Sequence, residues 1–167
     1  MWGEILSKFD RFPAQKRVIT LMLENGFGVS DGGYIRAGSI EISHTDVARA
    51  VGVDRRVVDA AIKNIMKDKS LKAIFENIHS IPFLRDVAPL LNLGVIVIEP
   101  HNARDAGILG SVSGVIASHG LSIRQAVSDD PYFVDEPRLT IVTDPGIPAE
   151  LIQDLKRLPA VKGIAIY

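Results

Sequence analysis

The sequence predicts an α+β chain of two domains, a helical N-terminal domain followed by a βαββαβ domain. Three observations predict it. Apolar residues in the first half recur with the 3.6-residue period of amphipathic helices. The second half instead alternates short apolar strands with helices. Charge divides the same way: residues 1–88 hold thirteen Lys/Arg against eleven Asp/Glu, whereas residues 89–167 hold six against nine. A chain of 167 residues, 47% hydrophobic and 23% charged, has material for two small cores.

Trp2, Ile5, Leu6 and Phe9 fall at helical spacing and predict a short amphipathic helix that Pro13 ends. A second helix runs from about Ala14 to Glu24, with Val18, Leu21 and Met22 inward, and Asn25-Gly26 stops it. Gly28–Ser39 holds four glycines and reads as a loop or a loose hairpin, and Ile40–Ile42 as a very short strand. Ser43 caps the next helix, with Asp46 in its first turn and Val47, Ala48 and Val51 inward. Gly52 ends that helix, and Asp54 caps another whose inner face is Val58, Ala61, Ile62 and Ile65. Prolines and turn-prone residues break up the apolar pieces between Asn77 and Asn92. The expected domains are therefore 1–77 and 93–167, with a connector over 78–92.

In the second domain Leu93–Ile98 is a strand ended by Pro100, and Ile108–Ser118 is a helix stopped by His119-Gly120. Leu121–Val127 is the second strand. Ser128–Pro131 is a turn, or the start of a wide hairpin loop reaching Pro137. Leu139–Thr143 is the third strand. Pro148 opens a helix carrying Leu151, Ile152, Leu155 and Leu158, and Lys162–Tyr167 is the last strand. This order is the split-βαβ, or ferredoxin-like, arrangement.

Ser43–Ile65 resembles the DNA-binding helix-turn-helix family. The features that carry it are the small Ala48, the turn Gly52 four residues later, and Val47, Val51, Val53, Val58 and Ala61 in register. The resemblance implies that the second helix enters the major groove and presents Arg55, Arg56, Asp59 and Lys63 as DNA-binding residues. Arginine forks to guanine, and lysine suits phosphate. A helix and a short strand ahead of the motif are similar to the winged subclass, whose wing would have to come from Leu71–His79. Seven basic against four acidic residues from Asp46 to Lys72 make a modest field, so useful affinity requires a dimer on two half-sites.

Val95–Ile123 resembles the ACT domain, a small-molecule sensor of amino-acid metabolism. The matching features are a strand ending in a polar loop, Gly107-Ile108-Leu109, the row Val112, Val115 and Ile116, and the exit His119–Ile123. Read physically, free N–H groups at Gly107, Ile108 and Leu109 at a helix start favour a carboxylate or another anionic oxygen. The resemblance adds His101, Asn102, Arg104, Asp105, Ala106 and Ser122 as candidate ligand-binding residues. Arg104 stands where the family usually has Asp or Asn, and Ala106 where proline is common. The implied effector is thus an amino acid or related metabolite, with a sugar or phosphorylated compound as the alternative. Gly110 and Gly114 read as close helix–sheet packing. Leu93–Ile98 is apolar on both faces, while two helices cover only one side of a four-stranded sheet. The uncovered face is expected to meet another copy or the N-terminal half, and the resemblance favours a homodimer or a higher homo-oligomer.

Several classes are excluded. The absence of cysteine removes disulfides and thiolate sites, and the net charge of −1 removes a histone-like binder. No apolar run approaches the roughly 18 residues of a membrane helix. Met1-Trp2-Gly3-Glu4 lacks the order of a signal peptide, so a soluble cytoplasmic protein without membrane partners is expected. His44, His79, His101 and His119 are isolated, no Gly-x-Ser-x-Gly elbow or phosphate-binding loop occurs, and no catalytic residue, metal or cofactor is expected. The expectation is a regulator in which a bound metabolite shifts the arrangement of subunits and so the spacing of the DNA-reading helices. The alternative is a non-DNA-binding accessory module that docks on a metabolic enzyme.

Overall fold

Residues 2–167 are described by a computed structural model, and the chain parts into two units between Pro82 and Phe83. Met1, the first residue of the opening tetrapeptide, lies outside the described residues.

The first unit opens with α1 (Trp2–Ser7) and α2 (Pro13–Asn25). Helix α1 is shorter than its apolar spacing suggests. Phe9 lies in the following turn, is still buried, and donates its N–H to Leu6 O at 3.0 Å. Pro13 does not end the first helix, which stops at Ser7; it starts the second, where a missing N–H costs nothing. The glycine-rich segment is ordered as strands β1 (Gly28–Val29) and β2 (Ile35–Ala37), which with β3 (Ile40–Ile42) make an antiparallel three-stranded sheet. Val29 and Ile35, fully buried, pair directly and fix that hairpin.

Helices α3 (His44–Val51) and α4 (Arg55–Lys67) follow as the pattern predicts. Ser43 Oγ accepts from the Asp46 N–H at 3.1 Å, and Asp54 from the Arg56 N–H at 2.8 Å. Between them Gly52 takes φ 70°, and Val53 N–H donates to Ala48 O at 2.9 Å, which closes the first helix and turns the chain. Val47, Ala48, Val58, Ala61, Ile62 and Ile65 are buried. The expectation of a wing fails: Leu71–His79 lies mostly in a helix, α5 (Lys69–Asn77). The reason is local. Asp68 accepts from the N–H groups of Ser70 and Leu71, and Leu71 and Phe75, one turn apart, bury the same face.

The second unit contains a 3-10 turn (Pro89–Leu91), then β4 (Gly94–Pro100), α6 (Ile108–Ser118), β5 (Ile123–Ser128), β6 (Leu139–Thr143), α7 (Ala149–Lys156) and β7 (Val161–Ile166). The sheet runs β5-β6-β4-β7, antiparallel throughout, which is the ferredoxin-like order the sequence predicts. One face carries both helices: Ile108, Val112 and Ile116 of α6 and Leu151 and Leu155 of α7 bury Ile96, Ile98, Leu139 and Ile141.

The other face departs from expectation. It is not left bare, because residues assigned to the connector belong to this unit. Ala88, fully buried, and the flanking Leu84 and Leu93 pack over Val95, Val97 and Val142. Leu84 N–H also donates to Gln125 Oε1 at 2.9 Å. With Leu84, Ala88 and Leu93 over it, this face is not a bare apolar surface that would call for a partner. The apolar side chains left outward lie on the covering segment instead, with Leu90 84% and Leu91 63% exposed. Gly110 and Gly114 also correct the sequence reading. A Cβ at either would meet nothing within 4 Å, so they lie on the open side of α6 and do not pack on the sheet.

Candidate functional site

The mouth of α6 is built where β4 and β5 end and β6 begins. Gly107 takes φ 86°, a left-handed conformation, and no side chain caps the helix it begins. The first N–H groups of α6 therefore keep their hydrogen-bonding capacity at the positive end of the helix dipole. A Cβ at Gly107 would meet nothing within 4 Å, so the space in front is open. The cavity there, about 180 Å³, is lined by Pro100, Ala103, Asp105, Gly107, Ile108, Leu109, Ser128, Arg138 and Leu139.

Ser128 and Arg138 escape sequence reasoning. They reach the mouth because Ser128 pairs with Leu139 and Leu139 with Ile98, a register that sets the end of β5 and the start of β6 beside the end of β4. No local pattern announces that pairing. Arg138 N–H donates to Asp129 Oδ2 at 3.1 Å, which anchors the base of the β5–β6 loop. Its guanidinium lies 3.4 Å from Glu136 Oε2, so the positive charge it brings to the mouth is shared with that carboxylate.

The predicted loop residues separate into different tasks. Asn102 is spent on the loop itself: its amide donates to Asp105 Oδ1 at 2.7 Å, and its oxygen accepts from the Arg104 N–H at 3.2 Å. Asp105 lines the mouth, whereas His101 and Arg104 line a second, larger cleft of about 420 Å³. The far wall of that cleft is the β5–β6 loop, with Pro131, Val134, Asp135, Glu136 and Pro137. Ala106 is exposed beside Gly107 and lines neither cavity. Ser122 precedes β5 at its opposite end, about 20 Å of strand from Ser128. The fold does not bring Ser122 to the mouth within one chain.

Glu99 and Lys162 form an ion pair across β4 and β7 at the edge of the larger cleft. The hydrogen bond from Lys162, reinforced by its charge, holds the Glu99 carboxyl below the usual carboxylate range. The same bond raises the Lys162 ammonium above its ordinary value.

In the first unit Arg55, Arg56, Asp59 and Lys63 are all exposed on α4. Asp59 is not free. Its Oδ1 lies 2.6 Å from His44 Nδ1 and its Oδ2 lies 3.7 Å from Arg55 Nε. Of the remaining histidines, His119 Nε2 lies 3.0 Å from Asp154 Oδ2 and ties α6 to α7. Among the described residues no three His, Asp or Glu side chains gather in a way that could hold a metal, and no helix is long and apolar enough to cross a membrane.

No protein-family model and no curated protein matches the chain. Among solved structures, it is similar to a transcriptional regulatory protein of the AsnC family from Pyrococcus furiosus, at 12% identity over 92% of this chain and 85% of that one, with a TM-score of 0.28. An AsnC family transcriptional regulator from Agrobacterium tumefaciens gives 13% identity over 92% and 86% of the two chains, with a TM-score of 0.29.

Proposed function

We propose that this chain is a ligand-responsive, DNA-binding regulator. Its second unit senses a small metabolite with an anionic head, of the amino-acid class, and its first unit binds duplex DNA through α4. One observation carries the sensor half: an uncapped helix start opens on a cavity whose other wall holds Arg138. Main-chain donors, a helix dipole and the Arg138 guanidinium favour a carboxylate there, against the opposing charges of Asp105 in the lining and Glu136 beside Arg138. The DNA half is supported by a tight α3–α4 pair whose second helix leaves Arg55, Arg56 and Lys63 exposed for a groove and its phosphates. A homodimer supplies the second half-site that so modest a field requires.

Calorimetric titration of an amino-acid panel tests the first half. At least one member binds the wild-type chain, and Gly107→Val abolishes that binding by filling the mouth; a panel without a binder overturns it. A gel shift at low salt tests the second, with Arg55→Ala plus Arg56→Ala weakening the complex. Ligand and DNA are expected to alter each other's affinity by about 5- to 150-fold, as linkage requires of coupled sites.

A second reading, an accessory module that docks on an enzyme, is favoured by one feature. An open groove of about 400 Å³, mostly apolar, lies on the first unit, lined by Pro13, Lys16, Arg17, Thr20, Leu21, Glu24 and Val51. A chain that shifts no duplex at low salt selects this reading.

A further inference from the structure

The N-terminal end of α4 is less basic than its two arginines suggest. Asp54 caps the helix through the Arg56 N–H, and Asp59 stands one turn further in, so two carboxylates answer Arg55 and Arg56. A face balanced in this way attracts phosphates weakly, and a complex made by it depends on geometric fit more than on field.

Asp59 itself makes two different connections. A carboxylate only accepts hydrogen bonds, so His44 Nδ1, 2.6 Å away, carries the proton between them. His44 is the first residue of α3, and its side chain is only 18% exposed. Its Nε2 is buried without a partner, so the ring is held from one side, by Asp59. The bond pins the start of one helix to the middle of the other. The second oxygen faces Arg55 Nε at 3.7 Å, an i,i+4 ion pair, and the Arg55 side chain is 66% exposed. The carboxylate is thus fixed by His44 before it meets the guanidinium.

We propose that Asp59 is a positioning residue, not a base reader. Buttressed by His44, it holds the Arg55 guanidinium so that its fork meets the two acceptors of a guanine in the major groove. The partner is then a duplex chosen by sequence, with Arg55 giving discrimination and Lys63 giving affinity. The inference rests on the DNA-binding reading above.

The full chain, Asp59→Asn and Arg55→Ala are each used to select from a pool of random-sequence duplexes. The affinity of each protein for the wild-type-selected duplex is then compared with that for a fixed mixed-sequence duplex. Asn keeps an oxygen for the His44 N–H and removes only the charge, so the variant is expected to unfold at nearly the wild-type temperature. It binds the mixed-sequence duplex at least as tightly as wild type, while its preference for the selected duplex falls roughly tenfold, at the same base positions that Arg55→Ala affects. A merely structural role would weaken both duplexes together, and that result overturns the proposal, as does an undiminished preference. Wild type enriching no duplex overturns the DNA-binding reading and this inference with it. Should the Asn variant fail to fold, relaxation of the Arg55 Nε–H group in the free wild-type chain decides: a guanidinium more ordered than that of Arg56 supports the proposal, and one equally mobile overturns it.

Discussion

At the scale of single residues, Gly107 separates conformational from steric demand. Its φ of 86° is costly for any residue with a Cβ, yet no atom stands within 4 Å of where that Cβ would be. Gly107→Ala therefore carries a backbone penalty alone, on the order of 1–2 kcal/mol. In a unit of this size the unfolding midpoint should fall by roughly 4–8 °C per kcal/mol, read by calorimetry. The added methyl also stands in the cavity mouth, so under the proposed sensing role affinity for an anionic metabolite falls along with stability. Glu99 and Lys162 make a different residue-scale prediction, with a defined sign. The Glu99 pKa is lower in the folded chain than in the unfolded one, so its contribution is present above about pH 4.3 and is lost as pH falls through the depressed folded value. The Lys162 pKa is raised, so its share holds below about pH 10.4 and disappears as pH rises through the folded value. Glu99→Gln should lower the neutral plateau of a plot of unfolding midpoint against pH and converge with wild type in acid, flattening the acid limb by the same modest amount that an exposed pair contributes. An acid limb identical to wild type would show that the pair does not couple to folding.

At the scale of elements, caps decide where helices start. Ser43 accepts from the Asp46 N–H, and its hydroxyl donates to the Asp46 carboxylate at 2.6 Å, a reciprocal lock on the first turn of α3. Ser43→Ala should cost about 1 kcal/mol in denaturant unfolding, and Ser43→Asn, which keeps a cap, only a fraction of that. Equal losses in the two variants would mean that the cap is not the source. These caps were readable because cap, periodic face and stop residue all lie within a few positions of one another: Ser43 with Gly52, and Asp54 with Val58, Ala61, Ile62 and Ile65. Helix α5 was harder to read because Asp68 both ends α4 and starts α5, so one residue does the work of two signals. The mouth of α6 was half legible for a similar reason. Gly107 and its loop are contiguous, but Ser128 and Arg138 arrive only through strand register, which no local pattern encodes.

At the scale of the whole molecule, the boundary between units is set by what covers the sheet. Residues 78–92 have no helical or alternating period, and so they read as a connector. In the folded chain Leu84, Ala88 and Leu93 shield Val95, Val97 and Val142, and the parting falls after Pro82. A segment without its own periodicity can still be core when a sheet face supplies the pattern it packs against. This yields a prediction about dissection. A fragment of residues 83–167 should fold cooperatively, since both sheet faces keep their cover. A fragment starting at residue 93, where the pattern of strands begins, loses Leu84, Ala88 and the hydrogen bond to Gln125 Oε1. Its valine face is then bare, and contiguous bare apolar surface drives association. The shorter fragment should bind a hydrophobic dye and sediment as species larger than those of the longer one, with a lower unfolding midpoint. If both fragments sediment alike and melt together, the segment is a linker after all, and the valine face is free to meet another copy of the chain.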